Sequence, residues 1–241
     1  MLLRRKIVRR GGFTLERNLS VWWVYLSLIG SVAVTGPIGI AIAVWLLLGK
    51  SWRLSLAWCL LFCGGMALVV ATKIAFYGWG IGVAAVDFAG FSGHAMRAAA
   101  VYPVACYLAL RSSGRPAAYA GLAAGVLLAG LISISRVLLQ AHSVSEAVTG
   151  FLLGLTVSGV FVWYVSTEGH LAISRILVAL CMPILLVTPQ HGDAIHAEGW
   201  IARIAMLLSG HDKPFSRQQW RVPPAPGGGQ VSLGTKLPFS A

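Results

Sequence analysis

Apolar residues fill most of this chain in long runs, and short polar stretches separate the runs. The clearest runs are residues 54–73, 92–110, 117–136 and 142–165, with a further one at 171–189 that contains Pro183. A helix needs about 20 apolar residues to cross the hydrocarbon layer of a bilayer, and each of these runs comes close to that length. The pattern therefore predicts an all-α fold, a polytopic transmembrane bundle of about six helices.

Residues 20–49 are also apolar throughout, but Gly36-Pro37 divides them. Proline removes a backbone donor and disfavours helix in the residue before it, so we expect a kink or a turn at this position. Thirty helical residues would rise about 45 Å, too long for one upright span and too short for two. Two interpretations remain open: a tilted, interfacial or re-entrant segment 21–34 followed by a short span 37–49, or one long bent helix.

Composition favours a single membrane domain. The 241 residues are 57% hydrophobic and only 11% charged, with a mean hydropathy of +0.78, whereas soluble domains carry about 25% charge. We divide the chain into a basic cytoplasmic segment 1–19, a transmembrane domain 20–190, and a C-terminal part 191–241. In that last part, residues 192–210 are expected to form an amphipathic helix on the membrane surface, and Lys213 begins a disordered tail.

Much of the net charge of +12 is concentrated at the two ends of the chain. Beside apolar spans, basic ends are expected to contact anionic membrane lipids and to set topology, so nucleic acid is not expected as a partner. The four cysteines lie within apolar runs and have no metal-ligand spacing with histidines, so we interpret them as small core residues.

Polar residues at the ends of the runs point to a shared site. Lys73 and Arg136 end two runs, while His94 and His142 begin two others. In an antiparallel up-down bundle these four residues lie at one membrane face, and the basic turns at Lys50/Arg53 and Arg111/Arg115 lie at the other. Because basic turns favour the cytoplasm, the site is expected to face outward.

His142 and Glu146 form the most informative pair. They are four residues apart, which on a helix places both side chains on one face, and Asp87 and Glu146 are the only acids between Arg17 and Thr167. A carboxylate that holds one imidazole nitrogen leaves the other free to act as a nucleophile. Ionisable groups at this depth usually mark a functional site because they are costly to bury.

The surrounding residues suit a phosphoryl group. Lys73 and Arg136 supply positive charge, and Ser92 and Gly93 at a helix start supply a hydroxyl and backbone N–H donors. A metal-free site needs such fixed cations and donors, because a phosphoryl group in transfer carries negative charge on its oxygens.

Three motifs resemble the type 2 phosphatidic acid phosphatase (PAP2) superfamily, which shares its site with vanadium haloperoxidases. The third motif, Ser135-Arg136, five residues, His142, three residues, Glu146, matches in spacing, with glutamate where the family usually has aspartate. The second, Phe91-Ser92-Gly93-His94, has phenylalanine in place of proline. In the first motif Lys73 is present, but the family's Arg-Pro pair is absent at its expected spacing.

The resemblance implies a PAP2-like core and a phosphohistidine mechanism with neither metal nor cofactor. In it His142 is the nucleophile, Glu146 orients His142, and His94 protonates the leaving oxygen. Lys73, Ser92, Gly93 and Arg136 bind the phosphate. Arg97, three residues after His94, is expected either to replace the missing arginine, to bind a lipid headgroup, or to pair with Asp87.

These observations predict a membrane lipid phosphatase that hydrolyses a lipid phosphomonoester or diphosphate. The candidate substrates are polyprenyl diphosphate, phosphatidic acid, phosphatidylglycerol phosphate and a lipid A phosphate. The expected location is a bacterial inner membrane with the site facing the periplasm. Two alternatives remain open: a phosphotransferase that uses the same residues, and a catalytically silent protein that binds or moves lipids.

Overall fold

The computed structural model describes residues 21–167 and 194–221. Helices form almost all of the regular structure in these residues. Residues 21–29 are helical and lead through a turn into the first of seven further helices. These are α1 (Val32–Leu48), α2 (Trp52–Trp79), α3 (Gly93–Leu110), α4 (Arg115–Leu138), α5 (Val144–Thr167), α6 (Ala194–Ser209) and α7 (Gln218–Arg221). The predicted all-α fold is confirmed.

Among the described residues, four helices are long and apolar enough to cross a membrane: the stretch Val21–Leu48, α2, α4 and α5. They fit a polytopic membrane protein. The run at 92–110 forms α3, which differs from these four because most of its side chains are buried against neighbouring helices. The predicted span at 171–189 and the basic segment 1–19 lie outside the described residues.

The chain bends at a different place from the one predicted. Helix is interrupted at Gly30 and Ser31, whereas α1 continues through Pro37, so of the kink or turn expected at Gly36-Pro37 the turn is wrong. Contacts with the bundle explain the difference: the Tyr102 hydroxyl donates to the Ile29 carbonyl at 2.7 Å, and a Cβ at Gly30 would come 2.5 Å from the Ile132 side chain. Tertiary packing, which the local sequence does not report, sets the bend.

Helix α3 is the centre of the bundle because small residues let its neighbours approach closely. Ala98, Ala99 and Ala100 have no exposed surface. A Cβ at Gly125 of α4 would lie 2.6 Å from the Tyr102 carbonyl oxygen, and one at Gly150 of α5 would lie 2.6 Å from the Ser92 carbonyl oxygen. Glycine therefore permits backbone contact on both sides of α3.

The helices alternate in direction. The turn between α3 and α4 lies at the C-terminal end of α5, where Arg111 donates to the Val165 carbonyl at 2.9 Å. The opposite end of the bundle therefore gathers the C-terminal parts of α2 and α4 and the N-termini of α3 and α5. This is the end that carries the predicted site residues.

The interpretation of the cysteines as core residues is wrong for two of them. Cys59 and Cys63 of α2 are exposed, while Cys106 of α3 is partly buried. In a membrane span the outer face meets lipid tails, which are as apolar as a protein core, so apolar neighbours in the sequence do not distinguish the two locations.

The packing of α5 on α3 generates a matched pair of substitutions. A Cβ at Gly154 would collide with the Met96 carbonyl oxygen, whereas one at Gly159 on the same helix meets nothing within 4 Å. We expect Gly154→Ala to destabilise the protein by about 1–3 kcal/mol through overpacking. Gly159→Ala is expected to be neutral or stabilising because alanine favours helix. Thermal unfolding in detergent measures both, and an equal midpoint for the two variants would contradict this packing.

Candidate active site

The start of α5 holds His142 and Glu146 in a fixed arrangement. His142 Nδ1 lies 2.8 Å from Glu146 Oε2. His142 precedes the helix instead of lying within it, and the turn is closed by a capping box: the Ser143 amide donates to Glu146 Oε2 at 3.3 Å, and the Glu146 amide donates to the Ser143 hydroxyl at 3.3 Å. The local sequence Ser-Val-Ser-Glu thus both starts the helix and aims the carboxylate at the histidine.

The second oxygen of Glu146 is equally occupied. Oε1 accepts a hydrogen bond from the Ala89 amide at 2.8 Å and another from Arg217 Nη2 at 2.6 Å. The Glu146 side chain is only 2% exposed, so these partners replace the water that a buried charge loses. With both oxygens held, the carboxylate cannot rotate freely, and neither can the ring that it contacts.

Lys73 projects from the last turns of α2, which continues past it to Trp79. Its Nζ lies 2.5 Å from Glu198 Oε1 of α6. Partial burial acts to raise the pKa of Glu198, but the positive charge of Lys73 and its hydrogen bond to the carboxylate outweigh it and hold that pKa below its ordinary value. Glu198 is therefore charged at neutral pH, and the contact is lost only as pH falls through this lowered pKa.

Arg136 leaves the last turn of α4 and reaches the helical residues before α1. Its Nη1 donates to the Ser27 hydroxyl at 2.5 Å. Its Nε is buried and has no hydrogen-bond partner among the described residues. Ser27 gave no signal in the sequence, because its approach to Arg136 depends on the bend at Gly30.

The N-terminus of α3 carries the second motif. Ser92 is the N-cap, its hydroxyl accepts from the Ala95 amide at 3.5 Å, and its side chain is fully buried. Arg97 Nη2 lies 3.5 Å from His94 Nδ1, and Arg97 Nε is buried with no partner in the part of the chain that the structure describes. Because a guanidinium can only donate, His94 accepts at Nδ1, and its neutral ring carries the proton on Nε2.

These side chains form one positively charged cluster. His94 is close enough to Arg136, Arg97, His142 and Lys73 to interact with the charge of each. Within residues 21–167 and 194–221, Arg97 Nε and Arg136 Nε are the buried side-chain polar atoms that lack a partner. Buried donors are normally satisfied, so a cluster of cations with two unfilled donors fits an anion such as phosphate.

A cavity of about 530 Å³ opens beside this cluster. Its walls are formed by Lys73, Phe76, Tyr77, Ala89, Gly90, Ala141, His142, Glu146, Glu198, Pro214, Phe215, Ser216, Arg217 and Gln218. Three of the predicted site residues, Lys73, His142 and Glu146, therefore line it. Ser92, Gly93, His94, Arg97 and Arg136 are not part of the wall, and the first two lie buried at the start of α3.

The C-terminal part of the chain contributes to the site, which the sequence did not predict. The expected amphipathic helix is present as α6, with Trp200, Ile204 and Leu207 exposed. Lys213 was expected to begin a disordered tail, yet residues 213–221 pack against the bundle, and the Phe215 amide donates to the Tyr77 carbonyl at 2.8 Å. Residues 222–241 lie outside the described structure.

Asp87 pairs with a different arginine from the one considered. Its Oδ2 lies 3.7 Å from Arg217 Nη1, and its backbone is left-handed, with a φ of 52°. Arg97 instead contacts His94. In the described part of the chain no three histidine, cysteine, aspartate or glutamate side chains are grouped so as to hold a metal ion.

The chain is similar to a known protein family and to a protein from another organism. Residues 83–170 match the family model described as PAP2 superfamily. Over 201 residues the chain is 31% identical to an uncharacterized 22.5 kDa protein in the cps region of Klebsiella pneumoniae, covering 81% of this chain and 95% of that protein. No solved structure matches the chain.

The Lys73–Glu198 contact generates a prediction about anion binding. Glu198 places a carboxylate where an anion would meet Lys73, so we expect Glu198→Gln to bind inorganic phosphate about fivefold more tightly. The rise in unfolding temperature with phosphate concentration measures this affinity. Asp212→Asn, which removes an exposed acid outside the cavity, is the matched control. Equal affinity in wild type and Glu198→Gln would contradict competition at Lys73.

Proposed function

The chain belongs to the PAP2 superfamily, and on that premise we propose that it is a membrane lipid phosphatase that works through a phosphohistidine intermediate. Family membership supports a phosphatase-type activity. The observation that carries the proposal is the His142–Glu146 pair at 2.8 Å beside a cluster of four positively charged or protonatable side chains.

In the first step His142 Nε2 attacks the phosphorus of a phosphate ester or diphosphate. The P–N bond forms as the P–O bond to the leaving group breaks. The leaving oxygen takes a proton from His94, whose ring is an imidazolium while the negatively charged phosphate is bound and becomes neutral in this step. Glu146 holds the Nδ1 proton of His142, so that Nε2 carries the lone pair and the positive charge that develops on the ring is balanced.

In the second step water attacks the phosphohistidine and gives its proton to His94. The P–N bond breaks, phosphate leaves, and both histidines return to their starting states. Arg136, Arg97 and Lys73 balance the negative charge on the equatorial oxygens during both steps. The unfilled donors on Arg97 and Arg136 support this role.

A lipid is the proposed carrier of the phosphate because the site lies at the end of long apolar helices. Four helices fit membrane spans, so a headgroup at the bilayer surface reaches the cavity without the lipid leaving the membrane. Exposed Trp200, Ile204 and Leu207 on α6 support contact between this end of the bundle and the interface.

The direct test is phosphate release by the purified protein in detergent from phosphatidic acid, phosphatidylglycerol phosphate and a polyprenyl diphosphate. We expect His142→Ala to lower kcat by about a thousandfold or more on the preferred lipid, because it removes the nucleophile. His211→Ala is the control, since His211 contacts the Gly78 carbonyl outside the cavity lining. EDTA is expected to leave the wild-type rate unchanged.

Equal release by wild type and His142→Ala would contradict the phosphatase proposal and favour a silent lipid-binding protein. A rate that falls with EDTA and returns with magnesium would contradict a metal-free mechanism. Transfer of the phosphate to a second lipid, with no free phosphate, would identify a phosphotransferase instead.

We further propose that the site faces the periplasm of a bacterial inner membrane. The basic turns that contain Lys50 and Arg111 lie at the opposite end of the bundle, and such turns favour the cytoplasm. With a cysteine introduced at exposed Ser113, and another at exposed Ala85 beside the site, an impermeant thiol reagent applied to intact spheroplasts is expected to label only the second. Both are built in a background without native cysteines, and the reverse labelling pattern would contradict this orientation.

A further inference from the structure

Arg217 reaches the candidate active site from a segment that no motif marks. Its guanidinium donates from Nη2 to Glu146 Oε1 at 2.6 Å, and Nη1 lies 3.7 Å from Asp87 Oδ2. It also lines the cavity together with His142 and Lys73. One side chain thus connects the C-terminal segment, the loop after α2 and the start of α5.

The contact is held by more than the ion pair. The Phe215 amide donates to the Tyr77 carbonyl at 2.8 Å. Phe215 and Trp220 pack against the Phe76 ring with centroid distances of 5.5 and 5.1 Å. Docking of this aromatic cluster on the end of α2 determines where Arg217 can reach, so the guanidinium arrives at Glu146 on an anchored backbone.

The buried carboxylate of Glu146 requires a countercharge, which Arg217 supplies. The Glu146 side chain is 2% exposed, and its other contacts among the described residues are two backbone amides and His142, whose ring must be neutral to act as the proposed nucleophile. Arg217 therefore provides the permanent positive charge in direct contact with the carboxylate. A buried carboxylate without a countercharge is strongly disfavoured and tends to take up a proton.

We propose that Arg217 is a positioning residue that keeps Glu146 ionised and in place, and through Glu146 orients His142 for attack on phosphorus. The inference rests on the proposed function. It assigns to the C-terminal segment a part in the chemistry. When residues 213–221 are docked, both oxygens of Glu146 are held and His142 is oriented for attack. When these residues are displaced, the Glu146 oxygen that Arg217 contacts is released.

The role differs from that of a phosphate-binding arginine in what the kinetics show. A group that acts through Glu146 and His142 contributes to the chemical step, so its loss lowers kcat and leaves KM nearly unchanged. A group that grips the phosphate of the bound substrate would raise KM. The effect of a positioning residue should also disappear once Glu146 carries no charge, because nothing then remains for the guanidinium to hold.

The experiment is a double-mutant cycle with Arg217→Gln and Glu146→Gln on the full chain in detergent. We expect Arg217→Gln to lower kcat by at least about tenfold, the scale seen when an outer partner of a functional histidine is removed, with KM within about twofold of wild type. In the Glu146→Gln background the same substitution is expected to change kcat by less than about twofold. Arg217→Lys, which keeps the charge, should recover part of kcat.

Arg203→Ala is the matched control. Arg203 lies on α6 with its guanidinium 5.5 Å from the centroid of the Trp200 ring, and it does not line the cavity. The kcat of Arg203→Ala should equal that of wild type. Unfolding temperatures of all variants are measured in parallel. Addition of free guanidinium to Arg217→Ala provides a second test, because recovery of kcat shows that the folded site lacked only the cation.

Three results would overturn the inference. They are a kcat within twofold of wild type for Arg217→Gln, a rise in KM as its main effect, or an equal loss of kcat in both Glu146 backgrounds. Each of these leaves the phosphatase proposal intact as long as His142→Ala is inactive. Activity in His142→Ala would instead remove the proposed function itself.

Discussion

A single buried carboxylate, that of Glu146, constrains the rest of the site. At 2% exposure it cannot rely on water, so each of its oxygens must find partners within the protein. Those partners come from three places: the capping box at the start of α5, the Ala89 amide in the loop after α2, and Arg217 in the C-terminal segment. Satisfying this one charge therefore brings together three parts of the chain that are distant in sequence, and His142 is held at the point where they meet.

Close helix packing brings the backbones near enough for this arrangement to form. Gly150 lets the first two turns of α5 pack closely on the Ser92 backbone, and the Ser92 amide donates to the Glu146 carbonyl at 3.1 Å. The N-termini of α3 and α5 thus lie side by side, and both present the positive end of the helix dipole to the cation cluster. Positive charge gathered in this way attracts an anionic group, and the carboxylate of Glu198 contacts Lys73 there.

The sequence predicted what depends on local spacing and on the ends of apolar runs. It predicted the all-α fold, the gathering of Lys73 with the two motifs of α3 and α5, and the contact between His142 and Glu146. It did not predict Ser27, Glu198 or Arg217, because each reaches the site through a tertiary contact: a bend held by Tyr102, an amphipathic helix packed on α2, and an aromatic cluster on Phe76. Residues 213–221 are rich in polar residues and precede a proline- and glycine-rich end. Such a sequence predicts a disordered tail unless the hydrophobic surface on which it docks is known.

The central claim is that the imidazole of His142 and the surrounding cations meet at one phosphate-sized position. The most direct measurement is an experimental structure of the protein with vanadate, which adopts the five-coordinate geometry of phosphorus in transfer. The account predicts vanadium bonded to His142 Nε2, its oxygens within hydrogen-bond distance of Lys73 and Arg136, and the Glu198 carboxylate displaced from Lys73. Vanadate bound elsewhere, with His142 unmodified and Lys73 still paired with Glu198, would contradict it.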